Sequence, residues 1–209
     1  MSIVSSSVTI TDAECFNSAT GQTVSLSEIE CYDSSTGITT TVWTRELIIF
    51  NGGVTRSGDA FNGHIYWNNG DSGWGSYSAT GGTSLYSTVS MANYDRVAYS
   101  GGMLKLPVDI SNFSTLHVQF TSAITNASTS QVEFGLSQTL QSGNVSRTSI
   151  PMKSNAISTA YGSTTELALD LSAFKSAYGN SGYFTWFANK HADGNSGGAT
   201  ISITKVWFT

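Results

Sequence analysis

Over most of its second half the chain alternates polar and apolar positions with a period of two. Glu166-Leu-Ala-Leu-Asp-Leu-Ser172 reads as a strand that closes into Ser172–Tyr178, long enough for one helical turn. Tyr183-Phe-Thr-Trp-Phe-Ala188 is a second strand, and Ala199-Thr-Ile-Ser-Ile-Thr-Lys-Val-Trp-Phe-Thr209 a third. In the third, Ile201, Ile203 and Val206–Phe208 supply one face, while Thr200, Ser202, Thr204 and Lys205 supply the other. Burying that apolar face requires pairing, so the last strand is expected to complete a sheet. Upstream, the same reading gives strands at Phe61–Trp67, Leu85–Met91, Tyr94–Tyr99, Met103–Leu106, Leu116–Thr121 and Gln131–Leu136, with a weaker one near Val145–Ile150. Roughly ten short strands, no long helix and connections too short for helical crossovers predict an all-β, antiparallel sandwich.

The first fifty residues carry a repeat. Glu14-Cys-Phe-Asn-Ser-Ala-Thr-Gly21 recurs as Glu30-Cys-Tyr-Asp-Ser-Ser-Thr-Gly37. Each copy ends a strand with turn residues, Asn or Asp followed by Ser and then a Gly. The expected structure is a three-strand meander of about 7–17, 22–33 and 38–49. The reading divides the chain into a meander at 1–50 and a sandwich at 51–209, with Asn51-Gly-Gly53 as the boundary. The meander is either the first sheet of one domain or a docking element. Equivalent places on successive hairpins set Cys15 and Cys31 on different rungs, so they are expected to be free thiols.

Composition narrows the classes. Only 11% of the residues are charged, the net charge is −5, and Gly contributes 21 positions against 2 Pro. Without clustered Lys or Arg there is no footprint for nucleic acid. No apolar run reaches membrane-spanning length, so membrane insertion is not expected. Met1-Ser-Ile-Val-Ser-Ser-Ser7 lacks the features of a signal peptide, which leads to the expectation of a protein made and assembled in a cytosol. On that footing the sequons at Asn112, Asn126 and Asn144 carry little meaning.

Val108-Asp-Ile-Ser-Asn-Phe-Ser-Thr-Leu-His-Val-Gln-Phe120, with Leu167-Ala-Leu-Asp-Leu-Ser-Ala-Phe174 and Ala199–Phe208, resembles jelly-roll carbohydrate-binding and galactose-binding-like modules. Such modules enter a strand through a phrase of the type D-[IL]-S-x-[FY] and end near I-x-K-[IV]-W. The resemblance covers about residues 85–209. It implies a jelly-roll-type sandwich that attaches, without catalysis, to a glycan or within a particle. Similar modules occur on bacteriophage tail, baseplate and head-fibre proteins. The expected function is therefore that of an oligomeric virion protein for host-surface attachment, assembled in host cytoplasm. Its partners would be copies of itself, other virion proteins and a cell-surface glycan. The alternative is a stand-alone carbohydrate-binding module.

The residues that suit a glycan are Tyr66, Trp67, Asn69, Asp71, Trp74, Tyr77 and Tyr86, in an aromatic and Gly-rich stretch. Trp and Tyr present flat apolar faces with a polar handle, and Asn and Asp supply hydrogen bonds to hydroxyls. The competing reading of the same rings is packing or a subunit contact, with Trp74, between two glycines, the best candidate for an exposed ring. Gly70-Asp-Ser-Gly73 looks like a serine-hydrolase motif, but the required His and acid contexts are missing. His64, His117 and His191 are scattered and lack metal-ligand spacing, and His117 reads as a satisfied sheet residue. A Ca²⁺ site with Asp71 or Asp193 as ligand would need a full ligand spacing that the sequence lacks, and Asp193-Gly-Asn-Ser-Gly-Gly198 reads instead as a tight hairpin turn before the last strand. No cofactor is expected. Among the acids Glu133 stands on its strand framed by apolar neighbours, Val132 and Phe134, and no carboxylate pair for glycoside hydrolysis stands out.

Overall fold

The protein is described from a computed structural model. It describes residues 14–17, 22–25, 30–33, 38–41 and 46–209 except 57, 69–74, 81, 92–96, 142–144, 146 and 192–195, with the backbone alone for residues before 46 and for 61–68, 75–80 and 91. Two compact units divide between Glu46 and Leu47.

In the first unit, β1 (Glu14–Asn17) pairs with β2 (Gln22–Ser25), and β3 (Glu30–Asp33) pairs with β4 (Ile38–Thr41). The described pairings are two separate two-stranded sheets in place of the expected three-strand meander. Each repeat copy carries its own turn and is followed at once by its own partner strand, so pairing closes locally at small entropic cost. The Cys15 and Cys31 side chains, and with them the free-thiol expectation, lie outside the described residues.

The second unit starts with β5 (Leu47–Asn51) and β6 (Val54–Thr55). Gly52 and Gly53 both have positive φ, 56° and 95°, and Asn51 pairs with Val54 across them. Asn51-Gly-Gly53, read above as a boundary, is the two-residue turn of a hairpin that only glycines enter without strain. The apolar run before it, with Ile49 and Phe50 buried, belongs to the sandwich.

The further strands are β7 (Phe61–Asn68), β8 (Gly75–Thr80), β9 (Leu85–Met91), β10 (Ala98–Leu104), β11 (Val108–Asp109), β12 (Thr115–Thr125), β13 (Ser130–Ser137), β14 (Met152–Ile157), β15 (Tyr161–Asp170), β16 (Ser181–Lys190) and β17 (Gly197–Phe208). All described pairs are antiparallel. One sheet runs β14-β13-β16-β10-β7, with β11 following β10 along β16. The other runs β15-β12-β17, after which β9-β8 and β5-β6 pair in succession with the far edge of β17. The result is an antiparallel β-sandwich of jelly-roll type, as the sequence implied. Its core draws on both sheets: Val132, Phe134, Leu136, Phe184 and Trp186 from one, and Leu116, Val118, Phe120, Ile201, Ile203, Val206 and Phe208 from the other. Phe120 and Phe134 meet between the sheets at 5.6 Å.

The last strand is paired along both edges. Its alternation breaks at Thr204, where a bulge sets Lys205 opposite Gln119 but Ile203 opposite Phe120. That extra residue lets Ile203 and Val206 both face the core.

The two D-[IL]-S-x-[FY] phrases build the same device. Asp109 Oδ1 accepts from Ser111 N at 2.9 Å, and Asp170 Oδ1 accepts from Ser172 N at 2.6 Å. Ile110 and Phe113 are then buried in the first copy, Leu171 and Phe174 in the second. These are Asx-turns that aim two apolar side chains into one end of the core. The second opens helix α1 (Ser172–Tyr178), about two turns where one was expected, which ends on Gly179 at φ 85°. β16 and β17 lie in different sheets, so they are not the two arms of the hairpin expected before the last strand, and Asp193–Asn195 themselves lie outside the described residues.

Candidate functional site

The structure does not bring the predicted aromatic stretch to one face. Tyr66 and Trp67 sit on β7, at the edge of the six-stranded sheet, opposite Ser100 and Tyr99. Tyr77 sits on β8 opposite Val89, and Tyr86 on β9 opposite Thr80 and Ser202, in the seven-stranded sheet. Asn69, Asp71, Trp74 and Asp193, and with them the Gly-Asp-Ser motif and the Ca²⁺ candidates, lie outside the described residues.

The register of the six-stranded sheet assembles a different group. Trp67 pairs with Tyr99, Tyr99 with Asn189, and Asn189 with Gln131, forming one rung across β7-β10-β16-β13. Their neighbours Ala98, Ala188 and Val132 face the core, so Tyr99, Asn189 and Gln131 stand on the outer face. Gly101, Phe187 and Glu133 follow on the next rung.

A polar network is built into this face. Glu133 is only 4% exposed. Its Oε2 accepts from Arg147 Nε at 2.7 Å and from Asn189 Nδ2 at 3.2 Å, while Oε1 accepts from Arg147 Nη2 and Ser154 Oγ. Arg147 opens the short 3-10 turn Arg147–Ser149, which stands where a weak strand was expected. Its guanidinium lies 5.4 Å from the Phe187 ring centroid. Met103, Ile150, Met152 and Phe187 form a small apolar cluster on the same face, with Val145 against it. The sequence offered one signal for the network, an acid framed by apolar Val132 and Phe134, though Asp109 and Asp170 are framed in the same way. Nothing in it announced Arg147, fourteen positions on.

Asn189 is 1% exposed, and its Oδ1 has no hydrogen-bond partner among the described residues. Beside it, burial pushes the Tyr99 hydroxyl above the ordinary tyrosine value; Arg147 pulls it down less, and Glu133 adds to the rise. Tyr99 is therefore a neutral hydroxyl throughout the physiological range. Its ring meets exposed His191 edge-on at 6.3 Å. The contacts of Glu133 are a cation, a hydroxyl and an amide. That is an ion-pair network, not the facing carboxylates of a glycosidase. Among the described residues no three His, Cys, Asp or Glu side chains group as metal ligands.

The opposite outer face has its own aromatic position. Trp207 stacks on His117 at 5.0 Å, and Lys205 Nζ lies 4.2 Å from the Trp207 ring. His117 Nε2 bonds Thr209 Oγ1 at 2.9 Å. His117 Nδ1 is 3.3 Å from Glu166 Oε1, near enough for an ion pair once protonated but not aligned as a hydrogen bond. Among the described residues His117 is thus a sheet residue with a hydrogen-bond partner at Nε2 only, short of the satisfied residue expected, and Trp207 is buried rather than an open platform.

No family model matches the chain, and no curated protein matches it. Solved structures do give matches. The family 11 carbohydrate-binding module from Clostridium thermocellum, in complex with a β-1,3-1,4-mixed-linked tetrasaccharide, is 10% identical at TM-score 0.42 over 78% of this chain and 94% of that one. The glycoside hydrolase domain of Endo-D from Streptococcus pneumoniae R6 is 14% identical at 0.40 over 69% of this chain, which spans 21% of that one. The enzymatically active domain of tailspike protein 4 from bacteriophage CBA120 is 11% identical at 0.35 over 73% of this chain and 20% of that one. Likenesses this distant, all below a TM-score of 0.5, carry no weight for function.

Proposed function

We propose that the chain is a non-catalytic, glycan-binding β-sandwich whose ligand lies across the strands on the outer face of the six-stranded sheet. The rung Trp67–Tyr99–Asn189–Gln131 carries this reading: two aromatic and two amide positions stand in line on neighbouring strands. Strands repeat every ~4.8 Å, close to the length of one pyranose unit in an extended glycan. Amide and phenol groups supply the donors and acceptors that sugar hydroxyls need. The test is calorimetric titration of the full chain with soluble neutral polysaccharides, beside the Gln131→Ala variant. Binding that weakens at least about fivefold in the variant, or ~1 kcal/mol, fits loss of an amide contact. Equal binding removes Gln131 from the site.

A second reading places the module on a virion, with the N-terminal unit as the attachment element. It is supported by the division of the chain at Glu46, which sets two hairpins apart from the sandwich. Light scattering on the full chain tests it: a trimer or larger assembly favours a particle component, and a monomer favours a lone module.

A further inference from the structure

Glu133 stands on the rung next to Asn189 and Gln131, and the glycan reading gives it no direct contact. Its Oε2 takes the Asn189 Nδ2 hydrogen at 3.2 Å, while Arg147 and Ser154 hold both carboxylate oxygens in place. A carboxylate so held has no proton to give. It fixes which end of the amide faces it, because the reverse orientation would set the Asn189 carbonyl against a negative charge. The amide oxygen, at the other end of the amide from the nitrogen that bonds Glu133, is buried and unpartnered among the described residues. A buried acceptor without a donor is a standing cost that an incoming donor would remove.

From this geometry we infer that Glu133 is a positioning residue, which holds the Asn189 carbonyl ready for a hydroxyl donor and makes the site select neutral glycans over uronate-bearing ones. The inference rests on the glycan reading. A sugar hydroxyl can donate to the carbonyl. A carboxylate can only accept, and would meet a second acceptor there. Arg147, the cation that would otherwise attract a uronate, is already engaged by Glu133 through two nitrogens. In this structure the carbonyl is covered, so entry of the ligand requires its neighbours on the outer face to move aside.

The experiment is calorimetry on the full chain with cellohexaose and with hexagalacturonate, for the native sequence, Glu133→Gln/Arg147→Met and Asn189→Leu. The double variant removes one charge of each sign, which leaves the net charge and the long-range attraction of an acidic ligand unchanged. The native chain is expected to favour the neutral ligand at least about tenfold, the usual scale for one mispaired buried acceptor. In the double variant the amide that replaces the Glu133 carboxylate can donate or accept. The Asn189 amide is then no longer fixed, and the preference is expected to fall within about threefold. Asn189→Leu is expected to weaken the neutral ligand about tenfold or more. A purely structural Glu133 would weaken both ligands in parallel, and an unchanged ratio overturns the inference. Equal binding of both ligands by the native chain also overturns it, while the glycan reading survives. If neither ligand binds, the glycan reading fails and takes the ligand class with it. The Asn189 side-chain amide resonances, assigned by their loss in Asn189→Leu, still judge the positioning: a pair that does not move in Glu133→Gln/Arg147→Met rejects it.

Discussion

Replacing Glu133 by alanine takes away the acceptor for Arg147, Ser154 and Asn189 together. The Glu133 side chain is 5% exposed and that of Arg147 18%. Removing one partner of a buried pair costs about 3–5 kcal/mol, because the remaining charge is stranded. Arg147 keeps some access to water and its place near Phe187, so the lower end applies, about 3 kcal/mol. For a chain of this length each kcal/mol moves the melting temperature by about 2–4 °C, so Glu133→Ala is expected to melt about 6–12 °C lower. Removing both charges with similar volume, as in Glu133→Gln/Arg147→Met, is expected to cost much less than the sum of the two single changes, with a coupling of about 2 kcal/mol or more. Chemical denaturation of the four proteins closes the cycle. If the single changes cost under about 1 kcal/mol each, or simply add, the network is a surface decoration and the argument from burial is wrong.

Gly101→Ala would place a Cβ 2.2 Å from Trp186 O and 2.4 Å from Phe187 Cδ1, and a backbone oxygen cannot rotate away. The expected loss is at or above the upper end of about 1–3 kcal/mol, whereas Gly162→Ala, with nothing within 4 Å, is expected to cost nothing; urea midpoints compare them. Hydrogen bonds from the Ser172 side chain and then its backbone hold the Asp170 carboxyl below its ordinary 3.8. Its contribution to stability is therefore complete above 3.8 and is lost as the pH falls through the lower folded value. Melting curves over the acid range are expected to fall less steeply for Asp170→Asn than for the native chain, and parallel curves would contradict the assignment.

Strand alternation was legible wherever one face is buried and the other wet. Leu85–Met91 and the strands cored by Leu116–Thr121, Gln131–Leu136 and Tyr183–Ala188 are observed, and the helical turn at Ser172–Tyr178 falls where expected. Strands without that contrast were missed. In Met152–Ile157 only the two end residues are buried, and β8 lies in a Gly- and Ser-rich stretch with little apolar signal. Gly101-Gly102 split the reading of β10, although every residue of that strand is buried. The candidate site was less legible than the fold. Its residues lie far apart in the chain, from Trp67 to Asn189, and antiparallel register alone lines them up. Reading Tyr66 to Tyr86 as one aromatic stretch joined strands that belong to different sheets.

The central claim, a glycan on the outer face of the six-stranded sheet, is tested most directly by mapping backbone amide shifts of the full chain during titration with a neutral hexasaccharide. The account predicts that the shifts gather at Tyr99, Gln131, Glu133 and Asn189. Shifts gathered at Tyr86, Thr88, Thr200 and Trp207 would put the ligand on the opposite sheet and contradict it, and a spectrum unchanged by every hexasaccharide tried would remove the claim.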